Sequence, residues 1–390
     1  MQLQLYLHFP FCKRKCSYCD FCSAPGTEEE VRAYCRALIC EIGREGVNWR
    51  DAQVRTVFLG GGTPSLLPPD ALGAVLNALH KNFCIEPDAE FTSEANPGTL
   101  TMPWLEQAVS QGVDRLSLGV QAAQDRLLKA LGRIHTFREA EEAFRLAKEA
   151  GIENLNADLM FALPGQTRQD YRETIDRVCA LGPKHISAYS LILEEGTPLY
   201  REAAAGRISV PDDDAAAEMY LLGREELEKR GFRQYEISNF AKEGFSCRHN
   251  MGYWQGAWYL GLGVSAHSML PPDEKQKAVG VMRVRRANAN DRNAYIQALL
   301  EGRPAPGEAC PICQKEAMFE AMMLGLRMNE GVSGRAFESL FGSDMARVYG
   351  SRLDGLVLDG LGKWLPGGSF ALTERGMLLQ NQALLRLMEE

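Results

Sequence analysis

No apolar run in this 390-residue chain approaches the ~18 residues of a membrane span. Met1 to Phe9 reads as a strand, with none of the charged-then-apolar order of a secretory leader, so a cytoplasmic protein is expected. An excess of positive charge is also missing. Lys and Arg number 43 against 51 Asp and Glu, a net charge of −8, and without a basic footprint nucleic acid is not an expected partner. Apolar (45%) and charged (24%) fractions depart in neither direction from the soluble globular average, which argues against disorder. Eleven cysteines are present. In a chain without a leader they are poor candidates for a disulfide framework and better ones for metal or catalytic work. Cys35, Cys40, Cys84 and Cys179 fall in helical or strand-edge patterns as small hydrophobes and receive no function.

From the first residues, short strand-like runs alternate with amphipathic helical ones. Leu3–Phe9 precedes Glu28–Arg44, Val54–Leu59 precedes Pro69–Lys81, and Ala89–Glu94 precedes Thr101–Gln111. Three more pairs follow: Arg115–Val120 with Arg138–Ala150, Asn154–Phe161 with Arg168–Leu181, and His185–Leu193 with Asp213–Lys229. That rhythm predicts an α/β fold, a partial TIM-like (β/α)6 barrel with its site at the C-terminal strand ends. Those ends carry Gly60-Gly61-Gly62-Thr63-Pro64, Glu94, Gln121, Asp158 and Ala188.

Residues 1–240 are therefore expected to form the barrel and 241–305 an aromatic and Gly-rich connection. Residues 306–390 are expected to form a small α+β module whose order of helices and hairpin resembles a winged helix. Lacking a basic stripe, that module reads as a lid or interaction domain rather than a DNA reader.

Just after the first strand, Cys12, Cys16 and Cys19 stand at C-x3-C-x2-C spacing. Three thiolates on a [4Fe-4S] cluster leave one iron open to a cofactor. Lys13, Arg14 and Lys15 are expected to favour the thiolate forms. The alternative is a zinc site, which would need Cys22 as fourth ligand. Cys310 and Cys313 form a second close pair without a partner pair, read as structural or incidental.

Tyr6, this cysteine loop, Gly60 to Pro64, Glu94-Ala-Asn-Pro97 and Leu116-Ser-Leu-Gly-Val-Gln121 together resemble the radical-SAM group that contains oxygen-independent coproporphyrinogen III dehydrogenase and the heme chaperones of the HemW type. The resemblance covers essentially the whole chain. It implies S-adenosylmethionine (SAM) as cofactor, with Tyr6, Gly61, Gly62, Thr63, Glu94 and Ala188 around it. Tyr18, Gln121, Arg133 and Asp158 match contacts to a second SAM in the dehydrogenase. No catalytic residue is assigned.

Within that group the chain departs from the dehydrogenase. Its fourth cysteine, Cys22, falls one place later than a C-x-C ending would put it, and only eleven residues precede Cys12 to cover a radical site. His249-Asn250-Met-Gly-Tyr253-Trp254 resembles the H-N-x-x-Y-W heme motif of the chaperones, which makes His249 the leading heme-ligand candidate and His267 a weaker one. The implied function is delivery of heme, as cargo, to a client hemoprotein of the respiratory chain. Peripheral membrane contact through that client and a homodimer remain open, as does the turnover of SAM. The alternatives are the dehydrogenase, which removes carbon dioxide from two propionates by radical chemistry, and a radical-SAM methyltransferase or RNA-modifying enzyme, which the acidic charge disfavours.

Overall fold

A computed structural model describes residues 1–388. Six parallel strands run in sequence order across the centre of one sheet: β1 (Gln2–Phe9), β2 (Gln53–Gly61), β3 (Cys84–Ala95), β4 (Arg115–Gln121), β5 (Asn154–Phe161) and β6 (His185–Ser190). Their apolar content follows from their place. Every residue of β4 is buried, as in a parallel strand covered on both faces. The crossover helices pack outside, and three of them, Glu28–Trp49, Phe137–Glu149 and Arg168–Ala180, start with a Thr in a reciprocal capping box. That device satisfies otherwise orphaned N–H groups at the helix start.

Both edges of this parallel core are extended rather than joined. Beyond β6 lie β7 (Arg233–Glu236) and β8 (Asn239–Ala241), with β8 antiparallel to β6. Beyond β1 lies β9 (Tyr259–Leu262), parallel to it. β10 (His267–Leu270), β11 (Val281–Asn288) and β12 (Gly307–Cys313) follow in antiparallel order, making a twelve-stranded open sheet. Residues 241–305 are thus more than a connection: Leu260, Leu262, Val264 and Tyr295 are part of the main core. Cys310 and Cys313 lie on the exposed edge strand β12. Residues three apart on a strand face opposite sides, so the two thiols do not act as a pair.

The C-terminal module has the expected order. Helices Gln314–Gly325, Gly334–Phe341 and Met345–Leu358 pack on a small antiparallel sheet of β13 (Val332–Ser333), β14 (Gly362–Leu365) and β15 (Ser369–Leu372). Its core, around Met322, Leu326, Phe337, Leu353 and Phe370, includes Met269 of β10 and Ile312 of β12, which seats the module against the extended edge of the large sheet. Among the described residues no helix is long and apolar enough to cross a membrane.

Candidate functional site

The strand ends of the parallel core open into one cavity. It is lined by Cys12, Cys16, Cys19 and Tyr18 from the loop after β1, by Gly61, Gly62 and Thr63 after β2, and by Glu94, Gln121, Arg133 and Asp158. Eleven expected site residues from six segments therefore share one space. Cys22 is not among them. Its thiol turns away to donate to Asn290 Oδ1 at 2.6 Å. Among the described residues no three Cys, His, Asp or Glu side chains converge as ligands of a single ion, while the three loop thiols line one cavity. Without Cys22 the lining has three thiols rather than the four ligands of a structural zinc site, which suits a three-thiolate cluster.

The cysteine loop is held by its neighbours. Ser17 donates its backbone N–H to Leu131 O at 3.0 Å and accepts from the Leu199 N–H at 2.8 Å. Arg14 donates to Gly132 O at 2.7 Å, and Tyr18 packs on a satellite cluster of Leu127, Leu128, Leu131 and Leu199. Of the loop's basic residues, Lys15 favours the thiolates of Cys12 and Cys19 as expected, but burial outweighs it. Burial pushes Cys12 and Cys19 up, and the nearby Lys15 charge pulls the other way by less; Lys15 itself donates to Phe21 O at 2.9 Å. Metal coordination rather than the lysine and arginine charges would then deprotonate them.

The glycine turn after β2 has a steric reason. A Cβ on Gly62 would stand 2.4 Å from Phe11 O, and one on Gly61, whose φ is +98°, would strike the His8 ring at 2.4 Å. Only glycine lets this turn lie against the end of β1 while keeping its backbone open to the cavity. Gly61 N–H donates to Glu94 Oε2 at 3.1 Å. Gln121 takes a left-handed φ of +67° at the end of β4, a strained backbone that aims its side chain at the same space.

Polar pairs tie the walls together. Arg133 donates to Asn96 Oδ1 at 2.5 Å, to Gly119 O at 2.6 Å and to Cys16 Sγ at 3.6 Å, and Asn96 donates to Thr63 Oγ1 at 2.8 Å. A Cβ at Gly119 would meet this guanidinium at 2.9 Å. Asp158 accepts from Asn156 Nδ2 at 2.8 Å and from Ser117 Oγ at 3.1 Å. Asn156 Oδ1 in turn accepts from Nδ1–H of the fully buried His185 ring at 2.7 Å. Desolvation pushes the Glu94 carboxyl up to about 8, and the facing Asp158 carboxylate adds to the rise. The Arg115 charge offsets this only in part, and Glu94 has no salt-bridge partner among the described residues; an amino group of a cofactor would supply one. The donor set therefore fits both a three-thiolate cluster and a cofactor carrying a cationic amine.

Two expected SAM contacts lie outside this lining. Tyr6 faces a neighbouring cavity and shares a 3.0 Å hydrogen bond with His8 Nδ1. Ala188 is buried in β6, with its N–H given to Ser238 O at 2.8 Å. Sequence reasoning missed Asn96, Ser117, Gly119 and Asn156. The signal was there: on β4 and β5 polar residues recur at every second position, the parity that points into a barrel.

His249 is placed differently from its expected role. It is 1% exposed, its Nδ1 lies 2.7 Å from Thr56 Oγ1, its Nε2 lies 2.9 Å from Tyr253 Oη, and its ring stacks on Phe58 at 5.1 Å. Both nitrogens are committed, and burial pulls its pKa down to about 3. The H-N-x-x-Y-W segment forms the helix Arg248–Trp254, in which a Cβ on Gly252 would collide with the Gln4 side chain of β1. We expect His249→Ala to cost about 2–4 kcal/mol of stability in chemical denaturation, because Thr56 and Tyr253 lose a buried partner and the stack is lost.

The Radical SAM superfamily model matches residues 6–178, and the HemN C-terminal domain model matches residues 312–379. The heme chaperone HemW of Synechocystis sp. is 36% identical over 98% of this chain and 90% of its own length. That of Bacillus subtilis is 34% identical over 97% of each. The chain belongs to the HemW family of radical-SAM proteins. The family reaches to a Danio rerio relative named radical S-adenosyl methionine domain-containing protein 1, mitochondrial, 32% identical over 99% of this chain and 85% of its own length. In fold, the HemW-family chain is similar to coproporphyrinogen III oxidase (HemN) from Escherichia coli, with a TM-score of 0.82 at 22% identity, covering 99% of this chain and 90% of that one.

Proposed function

We propose that the protein is a heme chaperone that holds a [4Fe-4S] cluster on Cys12, Cys16 and Cys19, binds SAM beside it, and hands heme to a client hemoprotein of the respiratory chain in the cytoplasm. The observation that carries this reading is the near-full-length similarity to proteins named heme chaperones. When bound, a three-thiolate cluster supplies an open iron for direct contact with a cofactor. The chain's own residues do the rest. Gly61 and Gly62 leave backbone accessible to the cofactor's amino group, and Glu94 offers it a carboxylate. Arg133 fixes the Cys16 side of the loop through Asn96 and Gly119. Asp158 and Gln121 border the remainder of the cavity.

The same cavity contains every position expected to hold a second SAM in the dehydrogenase, so that reading is tested alongside. After anaerobic cluster reconstitution, the protein is incubated with heme and, separately, with coproporphyrinogen III, SAM and reductant. The expected result is a stable Soret band with heme and no decarboxylated product. Formation of protoporphyrinogen over many turnovers per cluster would overturn the chaperone reading.

A further inference from the structure

The C-terminal module and the extended sheet edge enclose a second cavity, of about 550 Å³, within the usual range of small-molecule and cofactor sites. Its floor is written by strand alternation. His267 and Met269 share one face of β10, and Arg283 and Arg285 share the same face of β11, with Met269 directly opposite Arg285. The helix Gln314–Gly325 closes the other side with Met323 and Leu324, and Trp254 adds an aromatic wall.

The charged groups of this cavity, Asp20, Glu320, Arg283 and Arg285, are not all directly paired with one another. Arg285 is paired with Glu320, whose second carboxylate oxygen is buried and unpaired. Arg283 is 4% exposed and, among the described residues, has no direct hydrogen-bond or salt-bridge partner; a cation–π approach to Trp258 at 5.5 Å and the longer-range field of the Glu320 carboxylate only partly offset its burial. A guanidinium largely buried along a cavity wall with no protein acceptor is poised to receive one from a ligand that fills the cavity. The exposed imidazole of His267 likewise makes no side-chain hydrogen bond. One space thus combines a free cation, a free imidazole, the thioethers of Met269 and Met323, and apolar walls. A flat metal-containing macrocycle with carboxylate arms uses all of them at once.

We propose that heme binds in this cavity, with Arg283 receiving a propionate and His267 facing the iron, and that His249 serves as a buried support for the wall that carries Trp254. This rests on the heme-chaperone reading above and adds the place where the cargo sits. Phe21 lines both this cavity and that of the cluster, so the cargo would lie next to the cysteine loop.

The test is a heme titration of the full, cluster-reconstituted chain, followed by the Soret band, using wild type, Arg283→Met, His267→Ala and His249→Ala, with heme dimethyl ester as a second ligand. Arg283→Met is expected to weaken heme roughly tenfold or more, since one charge-assisted hydrogen bond is lost. Its thermal midpoint should be unchanged or raised, because an unpartnered buried charge has been removed. The ester, which lacks propionate charge, should bind wild type and Arg283→Met alike. His267→Ala should shift the Soret maximum. Arg283→Lys, which keeps the charge, should bind heme more tightly than Arg283→Met. If wild type binds heme and both Arg283→Met and His267→Ala bind it unchanged, the cavity is not the site although the chaperone reading stands. A folded His249→Ala that alone loses heme would also overturn the assignment. If wild type binds no heme, the chaperone reading fails and this one with it.

Discussion

Replacing any one of Cys12, Cys16 or Cys19 by Ala should abolish the visible absorption of the [4Fe-4S] cluster after anaerobic reconstitution, while Cys22→Ala should leave it intact. The three thiols line one cavity and come from a loop of eight residues, so no other cysteine can take over a vacated corner. The nearest in sequence, Cys22, is turned to Asn290 and lines the neighbouring spaces instead. Iron and sulfide quantitation with the absorption spectrum checks this. A full cluster in Cys16→Ala, for example, would remove Cys16 from the ligand set, and loss of the cluster in Cys22→Ala would restore the fourth-ligand alternative. The variants should remain folded by circular dichroism, since Cys16 and Cys19 are only partly buried and contribute little to the core.

The parallel half of the fold was legible because local and long-range signals agree there. A buried strand such as Asn154–Phe161 is apolar in the positions that face the helices and is followed by a capped amphipathic helix, so period and punctuation coincide. The three cysteines and the glycine turn were legible for another reason: their spacing follows from chemistry and sterics within a single loop. What the sequence could not yield was the fate of residues 241–305. The strands there are four to eight residues long, and they find their partners across the chain, β9 beside β1, which no local pattern encodes. The buried setting of His249 was not legible for a related reason. A histidine among aromatics looks like a ligand in sequence, but its partners Thr56 and Phe58 lie nearly two hundred residues away on β2. Arg283 was invisible because an arginine on an alternating strand normally reaches solvent, whereas here residues distant in sequence, Gly256 and Trp258 among them, stand against it.

Glu94→Gln should weaken SAM by roughly tenfold or more and at the same time make the protein more stable at alkaline pH. In the folded chain the Glu94 carboxyl titrates near 8, well above the ~4.3 of an unperturbed glutamate. The folded state therefore holds a proton that the unfolded state has released. The stability this provides is complete below the unfolded value and is lost as pH rises through about 8. Glutamine cannot ionise, so the variant escapes that loss: its thermal midpoint should exceed wild type at pH 8 to 9 and approach it near pH 5. A cationic amine at Glu94 reverses the balance, because the carboxylate is then wanted in its charged form. Binding of SAM to the wild type should accordingly release a proton below about pH 8, with affinity rising by up to tenfold per pH unit between roughly pH 6 and 8 and levelling above. In Glu94→Gln that slope should vanish. Calorimetry of SAM binding to the reconstituted protein in buffers of different ionisation enthalpy measures the proton directly. An unchanged slope in the variant would mean that another group, not Glu94, meets the amine.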